Sequence, residues 1–92
     1  MYKNQYPELL EKKEFIQKAE TAEILVANTS IKMGNRINAE MLKWQEWPKS
    51  ALVEGYITKK DKPDAIEKLI GSVARAVIFK QEPIRETKLV NA

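Results

Sequence analysis

Neither histidine nor cysteine occurs anywhere in the chain. That removes Cys/His zinc sites, thiol nucleophiles and every serine–histidine–acid triad. Carboxylates, lysines, arginines and tyrosines remain as possible reagents. No two carboxylates stand at a spacing that would seat them together in a cleft, so general acid–base work has no support. The sequence therefore predicts a protein that is not an enzyme and takes neither a metal nor an organic cofactor. The residues suited to chemistry of another kind, contact with a partner, are Trp44, Trp47 and Tyr56 with the basic run Lys59, Lys60 and Lys62. An aromatic ring beside polar groups is what a protein or glycan contact uses. Each also has a plainer reading. Trp44 and Trp47 are three apart, so on a strand they point to opposite faces and at least one belongs to the core. The lysines, interrupted by Asp61, read equally as a solvated loop ahead of a helix.

Those side chains need elements to hold them. Ile24 to Ala27 has strand character, and Asn28-Thr29-Ser30 and Met33-Gly34-Asn35 are turn clusters. Asn38 to Leu42 reads as one helical turn capped by the Asn38 side chain, with Glu40 near the positive end of its dipole. Lys43 to Trp47 reads as a strand stopped by Pro48, and Ser50 to Thr58 as loop. A helix is predicted to start at Pro63, to bury Ile66, Leu69 and Ile70 on one face, and to stop at Gly71. Ser72 to Phe79 reads as a further strand, Lys80 to Pro83 as a turn, and Ile84 to Val90 as the closing segment. Upstream, Met1 to Pro7 has no periodicity. Glu8 to Glu20 is rich in helix formers, with Glu and Lys at supportive spacings. Residues 1–22 are accordingly read as a connector and 23–92 as the domain.

At 92 residues there is room for one core. The chain is 43% hydrophobic and 32% charged, which places it among small soluble domains rather than disordered or membrane-embedded chains. The longest apolar runs, Ile24 to Ala27 and Ala76 to Phe79, are four residues, whereas a bilayer span needs about 20. The net charge is +3, all of it arising after Ala22. Along the sequence this charge is weak and interspersed, which argues against nucleic acid as a partner.

A shift of 47 positions matches the chain to itself. Val26-Ala27 falls on Val73-Ala74, Ile31 on Ile78, Ile37 on Ile84 and Leu42 on Leu89. The turn segment Met33 to Arg36 falls on Lys80 to Pro83. Two copies of a unit too small to bury its own apolar face predict a pseudo-two-fold domain. Its predicted core is Val26, Ile31, Ile37, Leu42, Ile66, Leu69, Val73, Ile78, Ile84 and Leu89.

The ordered motifs resemble the SAF domain of the Flp pilus assembly proteins, the CpaB (RcpC) family. Those motifs are Leu25 to Ala27, the hook Ile31 to Ile37, the capped turn and Leu-x-Trp of Asn38 to Trp44, and Trp47-Pro48. They continue with Leu69 to Gly71, Val73 to Arg75, Glu82 to Ile84 and Lys88 to Val90. One departure stands out: the glycine that precedes Glu-Pro-Ile in the family is Gln81 here. The resemblance implies a mainly β, β-clip (SAF, antifreeze-like) fold with short helices. It also implies an inner-membrane-anchored protein whose SAF domain lies in the periplasm. Residues 1–22 would then be a juxtamembrane stem. The implied role is a non-catalytic interaction module in tight-adherence (type IVb) pilus assembly, with the outer-membrane secretin or peptidoglycan as partner. An alternative is a substrate-binding or lid domain appended to a sugar-acid enzyme, since related domains accompany such enzymes. Ice binding, the activity of the similar type III antifreeze proteins, is disfavoured because Asn35, Arg36, Asn38 and Glu40 would roughen the flat surface it requires.

Overall fold

The computed structural model describes residues 20–91. The predicted helix at 8–20 and most of the connector lie outside that range. Strand β1, Thr21–Ala27, pairs antiparallel with β2, Leu42–Pro48, in a register running from Thr21 opposite Pro48 to Ala27 opposite Leu42. A single-turn 3₁₀ helix, Ala39–Met41, leads into β2, and the Asn38 side chain caps it by accepting from the Met41 amide at 3.2 Å. The short helix α1 spans Ala65–Leu69. Strands β3, Val73–Ala74, and β4, Leu89–Val90, form a second antiparallel pair, and a 3₁₀ turn at Glu86–Lys88 leads into β4.

The 47-residue repeat is written into the backbone hydrogen bonds. Ile31 and Ile78 exchange both of theirs, at 2.7 and 2.9 Å, so the pseudo-dyad passes between them. Outward from that pair the bonds recur in equivalents. The Gly34 amide donates to Ala74 and the Gln81 amide to Ala27, at 2.7 and 2.8 Å. Ala27 donates to Glu82 as Ala74 does to Asn35, both at 2.9 Å. Ile37 donates to Ser72 and Ile84 to Leu25, at 2.7 and 2.9 Å. Each hook is thus hydrogen-bonded to the opposite half, which satisfies backbone groups that would otherwise be buried without partners. The result is the mainly β, pseudo-two-fold β-clip with short helices. Between the halves lies a core of Leu25, Ala27, Ile31, Ile37, Leu42, Ile57, Ala65, Leu69, Ala74, Ile78 and Ile84.

Several local readings need correction. The segment 72–79 is not one strand: only Val73–Ala74 pair as strand, and the chain bends before Ile78 makes its bridge. Helix α1 begins at Ala65, with Asp64 rather than Pro63 at its N-terminal boundary. The loop after Pro48 opens with a 3₁₀ turn at Lys49–Ala51. Of the predicted core, Ile66, Val73 and Leu89 are only half-buried, and Ile70 is 49% exposed. Helix α1 has five residues and leaves room for Ala65 and Leu69 alone to be buried.

Gln81 adopts φ +73°, and its equivalent in the first half, Gly34, adopts φ +89°. The turn therefore keeps its left-handed geometry although the residue has a Cβ, a conformation that costs an L-residue about 1–2 kcal/mol. Glu82 braces this turn: one carboxylate oxygen accepts from the Phe79 amide at 3.2 Å and the other from the Lys88 ammonium at 2.6 Å.

Candidate contact surfaces

Strand β2 carries both tryptophans. Trp44 lies opposite Leu25 in the ladder, and its half-buried ring packs against the core. Trp47 points to the other face, where its indole Nε1 donates to the Ala51 carbonyl at 3.2 Å and closes the Lys49–Ala51 turn against the strand. Its ring meets Tyr56 edge-on, with centroids 6.2 Å apart and planes at 85°. The Arg85 guanidinium stands over the Tyr56 ring, 5.3 Å from its centroid. Leu52 and Val53, on the same loop, are 37% and 47% exposed. Trp47, Tyr56 and Arg85 thus form a partly exposed cluster, edge-on between the two rings and cation–π between Arg85 and Tyr56.

The basic run is divided. The segment after Tyr56 folds back along β1: the Leu25 amide donates to Ile57, and the Lys59 amide to Glu23, both at 2.9 Å. This places Lys59 and Lys60 beside Lys49 on an open groove of about 440 Å³ that also exposes Glu23 and Thr58. Lys59 reaches Glu23 at 3.6 Å, with both side chains about half exposed. Lys62 points elsewhere, to Glu86 at 2.8 Å. The structure therefore brings Lys59 and Lys60 together with Lys49, and Trp47 together with Tyr56. Trp44 and Lys62 stand apart from both groups.

Sequence reasoning missed Lys49 and Arg85. Lys49 follows the residue where β2 ends, but nothing local shows that residues 58–60 return to the same end of the hairpin. Arg85 is 29 positions from Tyr56 and reaches it only because the second hook crosses the first half. Among the described residues no group of three histidines, cysteines or carboxylates converges as a metal site. Partial burial pushes the Glu82 carboxyl up, but the Lys88 ammonium, the Phe79 amide and the nearby Arg85 charge outweigh it and hold the group below its ordinary value of 4.5. That perturbed group braces a turn and lies in neither contact surface.

The SAF domain family matches the chain over residues 22–90. No curated protein matches it. Among solved structures, the flagellar protein FlgA from Thermotoga maritima superposes with a TM-score of 0.61 at 10% identity. The superposition covers 78% of this chain and 26% of FlgA, and at that identity it shows a common fold. No helix among the described residues is long and apolar enough to cross a membrane.

Proposed function

The chain belongs to the SAF domain family, and from that premise we propose that it is the SAF module of a Flp (tight-adherence, type IVb) pilus assembly protein of the CpaB (RcpC) type. It acts without catalysis, on the periplasmic side of the bacterial inner membrane, as a contact domain for the assembly machinery. In this reading residues 1–22 form the stem leading from the anchor. The observation that carries the reading is the ordered set of motifs from Leu25 to Val90, which falls within the matched span. The Trp-x-x-Trp-Pro element is the most specific of them: it occupies β2 and builds the Trp47–Tyr56–Arg85 cluster. Tryptophan, tyrosine and arginine are the residues most often found at the energetic centres of protein interfaces. We assign the partner contact to that cluster, with the secretin or cell-wall peptidoglycan as its occupant. A flagellar protein of the same fold is in keeping with a role in surface-appendage assembly. One domain of this size binds weakly, and several copies around a ring-shaped partner would supply avidity.

The test is piliation in cells carrying the full-length protein. Deleting the SAF domain is expected to abolish pili, and Tyr56→Ala with Arg85→Ala to reduce them while the protein remains folded and abundant. Normal piliation after the deletion would refute the assembly role. Normal piliation in the double variant alone would move the contact off this cluster.

A further inference from the structure

The charge of the chain is interspersed in sequence but sorted in space. The matched hooks, residues 28–36 and 75–83, contain Lys32, Arg36, Arg75 and Lys80 against one carboxylate, Glu82, which Lys88 pairs at 2.6 Å, and the rest of the chain holds twelve basic and twelve acidic residues. These two stretches are the equivalent hook regions that the pseudo-dyad brings side by side through the Ile31–Ile78 and Arg36–Val73 bridges. None of the four cations lies within ion-pair distance of a carboxylate among the described residues.

The same face holds the most exposed large apolar side chains described, Met33 at 68% and Phe79 at 64%, with Val77 at 48%. Ile31 and Ile78 point inward, fully buried. Alternation about that bridge turns Lys32, Val77 and Phe79 outward. Each hook therefore presents a lysine next to a large apolar residue, Lys32-Met33 in one and Phe79-Lys80 in its equivalent. Two turns held by reciprocal backbone bonds fix these four side chains around one axis.

We propose that this hook face docks onto an anionic lipid surface. Apolar side chains at two turns can enter the boundary between headgroups and acyl chains, while the flanking lysines and arginines meet lipid phosphates. Charge complementarity selects the occupant. A second copy of the chain would set lysine against lysine, whereas an anionic bilayer matches four cations that lack a carboxylate partner, Arg36 donating only to the Gly71 carbonyl at 3.3 Å, and needs no shaped pocket for Phe79 and Met33. The inference does not depend on the pilus reading, because it concerns residues other than those of the Trp47 cluster and is tested without cells.

The experiment is flotation of the 92-residue protein with vesicles of phosphatidylethanolamine and phosphatidylglycerol, against vesicles of phosphatidylcholine alone. Binding is expected to the anionic vesicles only, and to weaken as salt rises through the physiological range. Lys32→Glu with Lys80→Glu should weaken it by at least about 25-fold, at about fivefold or more per charge. Phe79→Ser should weaken it about tenfold. Lys59→Glu with Lys60→Glu, which places the same charge change on the groove, should have a much smaller effect. All these side chains are exposed, and unchanged thermal unfolding would show the variants to be folded. Absence of binding to anionic vesicles, or equal losses from the hook and groove variants, would overturn the proposal. So would soluble polyglutamate or an oligonucleotide binding as tightly as the vesicles, which would assign the face to an acidic polymer.

Discussion

Gln81 and Gly34 occupy equivalent turns of the two halves with φ of +73° and +89°, so exchanging side chains between them separates backbone strain from packing. An L-residue in this region costs about 1–2 kcal/mol. Removing its Cβ returns about 0.5–1 kcal/mol of that, because glycine has more freedom to lose on folding. The Gln81 amide bonds to the Ala27 carbonyl through the backbone, so a glycine keeps that bond. Gln81→Gly is therefore expected to stabilise the domain by about 0.5–1 kcal/mol. Gly34→Ala should destabilise it by a similar amount through φ alone, since a Cβ at Gly34 meets nothing within 4 Å. For so small a domain, with a urea slope near 1 kcal/mol/M, each change moves the midpoint by about 0.5–1 M, in opposite directions. The double variant should fall close to the parent, because the two effects are local to each backbone and the two amides bond to different carbonyls, Ala74 and Ala27. Urea unfolding followed by tryptophan fluorescence provides the reading. If Gln81→Gly lowers the midpoint, or both changes shift it the same way, the equivalence of the two turns is refuted.

Further outcomes follow from the core, the cap and the brace. Ile37→Ala and Ile84→Ala, at 2% and 0% exposure, should each cost about 2–4 kcal/mol in chemical denaturation. Asn38→Ala removes the acceptor for the Met41 amide and should cost up to about 1 kcal/mol. The equivalent Arg85 makes no side-chain cap, so Arg85→Ala should leave the second 3₁₀ turn in place in amide exchange. Glu82 has a lowered folded-state pKa. Its contribution is in place above the ordinary value of 4.5 and is lost as pH falls through the lower folded value. Unfolding midpoints of Glu82→Gln should therefore vary less with pH below about 4.5 than those of the parent.

The repeat was legible because the two-fold axis demands like residues at like places. Ile31 and Ile78 meet each other, so both must be aliphatic, and a 47-residue shift detects that without knowing the fold. The Asn38 cap was legible for a different reason: its partner is three residues away and the chemistry is local. What could not be read depends on partners far along the chain. The segment 72–79 has the apolar texture of a full strand, yet the other half meets it only at certain positions, Ile37 at Ser72, Gly34 and Asn35 at Ala74, and Ile31 at Ile78, and the strand breaks up between them. Helix α1 loses its first turn because Lys62 bonds back to Thr58 and Ala65 to Lys62, which uses those residues in the preceding turns.

The candidate surfaces divide along the same line. Trp44 and Trp47 were placed on opposite faces by strand alternation alone, and β2 puts them there. The run Lys59 to Lys62 looked like one feature because its members are adjacent. Folding splits it, since a turn closed by the Lys62 amide on the Thr58 carbonyl sends Lys62 toward Glu86 and leaves Lys59 and Lys60 facing β1. Conversely, Lys32, Arg36, Arg75 and Lys80 looked unrelated because about 40 positions separate the two pairs in sequence, and the dyad assembles them. In a domain built by interlocking two hooks, adjacency in sequence is a poor guide to surface charge. Proximity across the dyad is the better one: Lys32 and Phe79, and Met33 and Lys80, stand at matched positions, so each hook carries one cation beside one apolar side chain although no cation falls on another.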